Sequence, residues 1–169
     1  MPEIEPLNKD LKSLSGLHLW HADMSSCSQR VRIALAETGN DFESHIVDLK
    51  NDEHATPEYQ QIHPDGLVPA LVDNGRLVIE SIDIIQHLAG PESDLFESAS
   101  SELLEMADKA QADLKLLTFE FLQRRAPLPT ESSAAEFQKS HQNEKLKQFR
   151  IDFAEGFDPE RINQAIANT

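Results

Sequence analysis

Apolar residues along this chain follow two patterns, and the change between them divides it. Before Gly90 they come in short runs between polar breaks: Leu17–Trp20, Phe42–Leu49, Val68–Val72 and Leu77–Ile79. Runs of this length bounded by turn residues read as strands. From Val31 onward, apolar residues and strong helix formers dominate until Gly39-Asn40, so a helix is expected between the first two runs. Strands joined through a helix should lie parallel, as a βαβ unit. Thr56-Pro57-Glu58 supplies an N-cap, a proline at the first helical position and an early acid, predicting a short helix that ends near His63-Pro64-Asp65-Gly66. Two apolar runs then flank Asn74-Gly75, the strongest short hairpin signal. Ser81 is a natural N-cap for a helix carrying Ile82, Ile85, Leu88 and Ala89, which Gly90-Pro91 ends.

After Pro91 the period changes. Leu103, Ala107, Ala110, Leu114, Leu117 and Phe121 recur at helical spacing, with Arg124-Arg125 at the C-terminal end and Pro127 and Pro129 to stop the helix. Phe137, Leu146, Phe149 and Phe153 predict another helix, and Asp158-Pro159-Glu160 starts a third. No strand signal follows Ile79. The expected organisation is a loosely held leader over residues 1–16, an α/β domain over 17–90, and a short all-α helical domain over 91–169.

Composition narrows the partners. With 15 Lys and Arg against 30 Asp and Glu, the net charge is −15, and both halves are acidic. Such a field repels nucleic acid and anionic lipid, so neither is expected as a partner. No apolar run approaches the ~18 residues of a membrane span. The N-terminus has no basic segment followed by an apolar one, so it does not read as a signal peptide. A single cysteine excludes an internal disulfide and a multi-cysteine zinc site, and a cytoplasmic setting follows most simply. His18, His21, His45, His54, His87 and His141 show no metal-ligand spacing, so no metal is expected.

The chemistry concentrates at Ser25-Ser26-Cys27, where the first helix should begin. A helix N-terminus presents N–H groups without internal partners and partial positive charge, which stabilise an anion or a thiolate. The plainer alternative is that Ser25 or Ser26 only caps the helix while Cys27 packs as a small hydrophobe. Cys27-Ser28-Gln29-Arg30 has no second cysteine, so dithiol chemistry of the Cys-x-x-Cys kind is excluded.

Taken together, three segments resemble one family. Ser25-Ser26-Cys27-Ser28-Gln29-Arg30-Val31-Arg32 is similar to the N-terminal signature of glutathione transferases, closest to the zeta class of maleylacetoacetate isomerases; tetrachlorohydroquinone dehalogenases and β-etherase-type transferases are relatives. His63-Pro64-Asp65-Gly66-Leu67-Val68-Pro69-Ala70-Leu71 resembles the family's Asn-Pro-x-x-x-Val-Pro-x-Leu segment, with His in place of Asn. Glu80-Ser81-Ile82 with Ile84-Ile85 resembles its Glu/Gln-Ser-x-x-Ile motif. The resemblance covers residues 17–90 and implies a thioredoxin-like βαβ–ββα fold.

It also implies glutathione as co-substrate. Glu80 would pair with the γ-glutamyl ammonium and Ser81 would hold its carboxylate. Val68 would pair its backbone with the cysteinyl unit, with the Val68–Pro69 bond cis. Lys50, or less readily His63, would meet the glycine carboxylate. The sulfur would lie near Ser25, Ser26 or Cys27, with Ser25 favoured as thiolate stabiliser, Cys27 offering mixed-disulfide chemistry, and Arg30 able to reinforce the field. The implied function is a transferase adding the glutathione thiol to, or isomerising, a small electrophile, as a homodimer. The helical half is shorter than the family's. Two alternatives stay open on that account: a non-catalytic binding or regulatory module, or a fragment of a longer product.

Overall fold

The computed structural model describes residues 4–90, 101–125 and 137–169. The chain divides into two units, Met1–Ser98 and Ala99–Thr169.

The first unit is built on a four-stranded sheet. Its elements are β1 (Leu17–His21), α1 (Ser26–Glu37), β2 (Glu43–Ile46), α2 (Pro57–Gln60), β3 (Ala70–Asp73), β4 (Arg76–Ile79) and α3 (Ser81–Ala89). The strand order is β2-β1-β3-β4. β1 and β2 are parallel, as the intervening helix requires, and the other two pairings are antiparallel. Both faces of the sheet are covered, which explains why Ala70, Leu71 and Val72 are apolar without alternation. On one face Leu19 and Leu71 pack with Val31 and Leu35 of α1 and Ile84 of α3. On the other, Ala70, Val72 and Leu77 pack with Leu11, and Trp20 and Ile62 lie against them.

Asn74 and Gly75 turn the hairpin with φ of 48° and 83°, the positive pair a type I′ turn needs. A Cβ on Gly75 would lie 2.6 Å from the Lys12 carbonyl oxygen. Asn74 Oδ1 accepts from the Gly16 N–H at 2.9 Å, and the Asn74 N–H donates to the Gly16 carbonyl at 3.0 Å. Residues 4–16 are therefore not loosely held, contrary to expectation. They form a 3-10 turn over Lys9–Ser13, bury Leu11 against the sheet, and bridge Ile4 to Leu77. The β3–β4 hairpin leaves an apolar face to cover, and Leu11 and Ile4 supply the cover. β2 covers only Glu43–Ile46 of the expected run, and the Val47 N–H still reaches the His21 carbonyl at 2.8 Å.

The second unit contains α4 (Ser101–Phe121), α5 (Glu144–Glu155) and α6 (Pro159–Asn168). Asn143 and Asp158 cap α5 and α6 through their side chains. Leu116, Phe153, Phe157 and Ala165 form its core, with Leu117, Phe119 and Phe149 against them. Phe119 meets Phe149 and Phe153 edge-on, with centroids 5.0 and 5.2 Å apart. The predicted stripe on α4 is only partly used: Leu117 faces this core, whereas Leu103, Leu114 and Phe121 stand exposed. Pro91, Pro127 and Pro129, expected to break helices, lie outside the described residues. No described helix is long and apolar enough to cross a membrane.

Candidate glutathione site

Two helix N-termini carry the candidate residues. α1 opens at Ser25, whose side-chain oxygen accepts from the Ser28 N–H at 3.2 Å while its carbonyl accepts from Gln29 N–H at 2.8 Å. Ser25 is thus the N-cap. Ser26 and Cys27 follow as the first two helical residues, Ser26 exposed and Cys27 half-buried. The preceding loop is braced on three sides. Ser28 Oγ accepts from the Ala22 N–H at 3.3 Å. Arg32 Nη1 donates to the Ala22 carbonyl at 3.3 Å and lies 3.1 Å from His21 Nδ1. His21 Nε2 in turn meets Ser44 Oγ at 2.8 Å. The pKa of His21 is held below its ordinary value, first by burial and then by the Arg32 guanidinium, against an opposing pull from Asp23.

α3 opens at Glu80-Ser81. Glu80 is exposed and takes φ 65°, ψ 118°, a sparsely populated conformation that costs about 1–3 kcal/mol and persists only where the surroundings fix it. Its carbonyl accepts from the Ile84 N–H at 2.9 Å, which starts the helix. Ser81 is buried, 5% exposed. Its oxygen accepts from Arg30 Nε at 2.8 Å. The same guanidinium places Nη2 4.0 Å from Cys27 Sγ. Arg30 lies one turn beyond Cys27, on the same face of α1, so the thiol end and the Ser81 end are joined by one side chain.

The remaining expected residues divide. Val68–Pro69 is cis, as the resemblance implies, with Pro69 buried at the entry to β3. Tyr59 O–H donates to the Leu67 carbonyl at 2.7 Å and fastens that approach. Burial, and then Glu53, push the Tyr59 pKa well above the ordinary phenol range. Lys50 is exposed on the turn after β2, its N–H donating to Asp48 Oδ1 at 3.0 Å. The Asp48 carboxyl is held below its ordinary range chiefly by hydrogen bonds from Asn51. His63, the weaker candidate for the same role, is 1% exposed, and its Nδ1 accepts from the Asp65 N–H at 3.2 Å. Its ring is buried and braces the His63–Gly66 turn. Among the described residues, no cluster of three metal-ligating side chains is found.

The sequence reading left Arg32, His21 and Ser44 without roles. The spacing of Arg30 and Arg32 could have signalled them, since residues two apart on a helix point to different sides.

Residues 24–90 match the family described as "Glutathione S-transferase, N-terminal domain". That segment is similar to glutathione S-transferase N-terminal domains. The curated relatives are matched over only part of their own length. The chain is 44% identical over 72 residues to glutathione S-transferase 1 of Dianthus caryophyllus, covering 43% of this chain and 33% of that one. It is 51% identical over 67 residues to maleylacetoacetate isomerase of Pseudomonas aeruginosa, covering 38% and 32%. The chain thus spans about a third of the length of the curated relatives it matches. The crystal structure of the beta-etherase LigF from Sphingobium sp. strain SYK-6 superposes with a TM-score of 0.69 at 20% identity, covering 90% of this chain and 68% of that one. A glutathione transferase homologue from sulfitobacter with bound glutathione gives 0.51 at 21% identity, covering 85% and 71%. At these identities the two structures speak to the fold alone.

Proposed function

We propose that this protein binds glutathione across the N-termini of α1 and α3 and activates its thiol for addition to, or isomerisation of, a small electrophile. The observation that carries this reading is the Arg30 bridge, which holds Ser81 at 2.8 Å and approaches Cys27 Sγ at 4.0 Å. A γ-glutamyl group presents a carboxylate and an ammonium side by side. Ser81 O–H, the first-turn N–H groups of α3 and the Arg30 charge suit the carboxylate. Exposed Glu80 suits the ammonium. The donor set therefore fits the ligand chemically, and among the described residues no acceptor takes the Ser81 hydroxyl hydrogen.

At the other end, Ser25 and the positive end of the α1 dipole suit a thiolate. Ser25 O–H can donate to a sulfur while its oxygen stays engaged with the Ser28 N–H. Val68 offers backbone groups to the cysteinyl unit, in the manner of an added strand. Lys50 is assigned to the glycine carboxylate. The cytoplasmic setting and the homodimer belong to the same proposal, as does an electrophile chosen by side chains outside this site.

A second reading is favoured by the proximity of Arg30 to Cys27. The Cys27 thiolate would attack oxidised glutathione, form a mixed disulfide and release one glutathione. Turnover of chlorodinitrobenzene separates the two. The transferase reading expects Cys27→Ala to keep turnover and Ser25→Ala to lose it, at least roughly tenfold. The cysteine reading instead expects no chlorodinitrobenzene turnover but glutathione-dependent reduction of a small disulfide, which Cys27→Ala abolishes. Glutathione binding with neither conjugation nor disulfide reduction marks a non-catalytic module.

A further inference from the structure

Ser81 and Cys27 stand on different helices, yet they share a single guanidinium. We infer that Arg30 is a positioning residue that makes the site selective for ligands with a free α-carboxylate, acting through the Ser81 hydroxyl. The inference rests on the glutathione reading above. A serine hydroxyl carries one hydrogen and two acceptor lone pairs, and rotates to suit its neighbours. Donation from Arg30 Nε at 2.8 Å occupies one lone pair and bars the rotamer that would point the hydrogen toward the guanidinium. The hydrogen is left to donate away from Arg30. Ser81 is nearly buried, so the arrangement is shielded from competing water and the interaction is strengthened. The guanidinium also brings positive charge to a chain of net charge −15, where an anionic ligand would otherwise meet repulsion.

The geometry asks for arginine. Nε is engaged with Ser81 while Nη2 reaches toward Cys27 Sγ, a pairing that depends on donors fixed in one plane. A lysine ammonium is a point donor and cannot hold both directions. Placement does the rest: the α1–α3 packing that buries Ile84 against Val31 and Leu35 brings Arg30 to the first residue of α3.

Titration calorimetry with two ligands tests this. One is glutathione. The other is 4-aminobutyryl-cysteinyl-glycine, which keeps the ammonium and thiol but lacks the α-carboxylate. Wild-type protein is expected to prefer glutathione by roughly 10- to 100-fold, the range for hydrogen bonds to a charged group. In Arg30→Met that preference collapses to within about threefold, because glutathione weakens while the analogue hardly changes. Ser81→Ala gives the same collapse, and the double variant adds little more, since the two act as one unit. Arg30→Gln, which keeps a planar donor without the charge, is the second variant should Arg30→Met fail to give a cooperative melt. Equal weakening of both ligands, or an unchanged preference, in a folded Arg30 variant overturns the inference while leaving the glutathione reading intact. Wild-type protein that binds neither ligand overturns both.

Discussion

The two units of this chain are held by different means. In the first, polar side chains fix backbone: Asn74 ties the hairpin to Gly16, Arg32 holds the carbonyl of Ala22, Tyr59 ties down Leu67, and Ser25 caps α1. In the second, beside the Asn143 and Asp158 caps, aromatic rings and cations lie between the helices. Arg124 sits 5.1 Å over Phe153 while gripping Glu120 at 2.7 Å, and Lys115 lies 4.8 Å over Phe149. Backbone-fixing contacts specify where a particular loop goes, and loops carry binding groups. Ring packing specifies only that helices adhere. The family match falls where the first kind of contact is dense, within residues 24–90.

Core truncation should strike both units hardest and tests whether the second has a true core. Leu71→Ala, at a fully buried position, is expected to cost about 3–4 kcal/mol in urea denaturation, and Phe153→Ala a similar amount. A negligible loss for Phe153→Ala would mean the ring cluster is not load-carrying. Next comes Arg32→Met, which strips the brace from the loop before α1 and leaves the Ala22 carbonyl with the Ser25 N–H in place of two donors. It should cost about 2 kcal/mol and raise amide exchange across residues 22–25.

The pH dependence is smaller and has a defined sign. His21 and His45 both have folded-state pKa values below the ordinary 6.5, in each case first through burial. The further causes are Arg32 for His21 and the neighbouring His18 for His45. Their contribution is complete above pH 6.5 and is lost as pH falls below it, because the unfolded chain takes up protons first. Denaturation midpoints should therefore drop from pH 7 to pH 5, and less steeply in His21→Gln. The smallest effect belongs to the exposed Lys12–Glu5 pair at 3.3 Å: Lys12→Ala should change stability by less than about 0.5 kcal/mol.

Local chemistry was the legible part of the sequence. Asn74-Gly75 announced its turn, Thr56-Pro57 its short helix, and the Ser25-Ser26 pair a cap, because each acts on residues two to four positions away. The Arg30–Ser81 contact spans 51 residues and exists only once α1 and α3 pack, so spacing along the chain could not reveal it. The same limit applies to α4. Periodicity identified an apolar stripe through Leu103 and Leu114, yet the buried residue is Leu116, since the position of α5 and α6 decides which side is covered. Ile4, Leu7, Leu11 and Leu14 stand singly among polar residues, which gave too little signal to show that Leu11 covers the sheet.

The most direct test of the central claim is the heat of glutathione binding to the intact chain and to Ser81→Ala. Saturable one-site binding by the wild type, weakened at least roughly tenfold in a Ser81→Ala protein that still melts cooperatively, is the expected result. Equal affinity in the two proteins would contradict it, because glutathione would then be held somewhere other than the opening of α3.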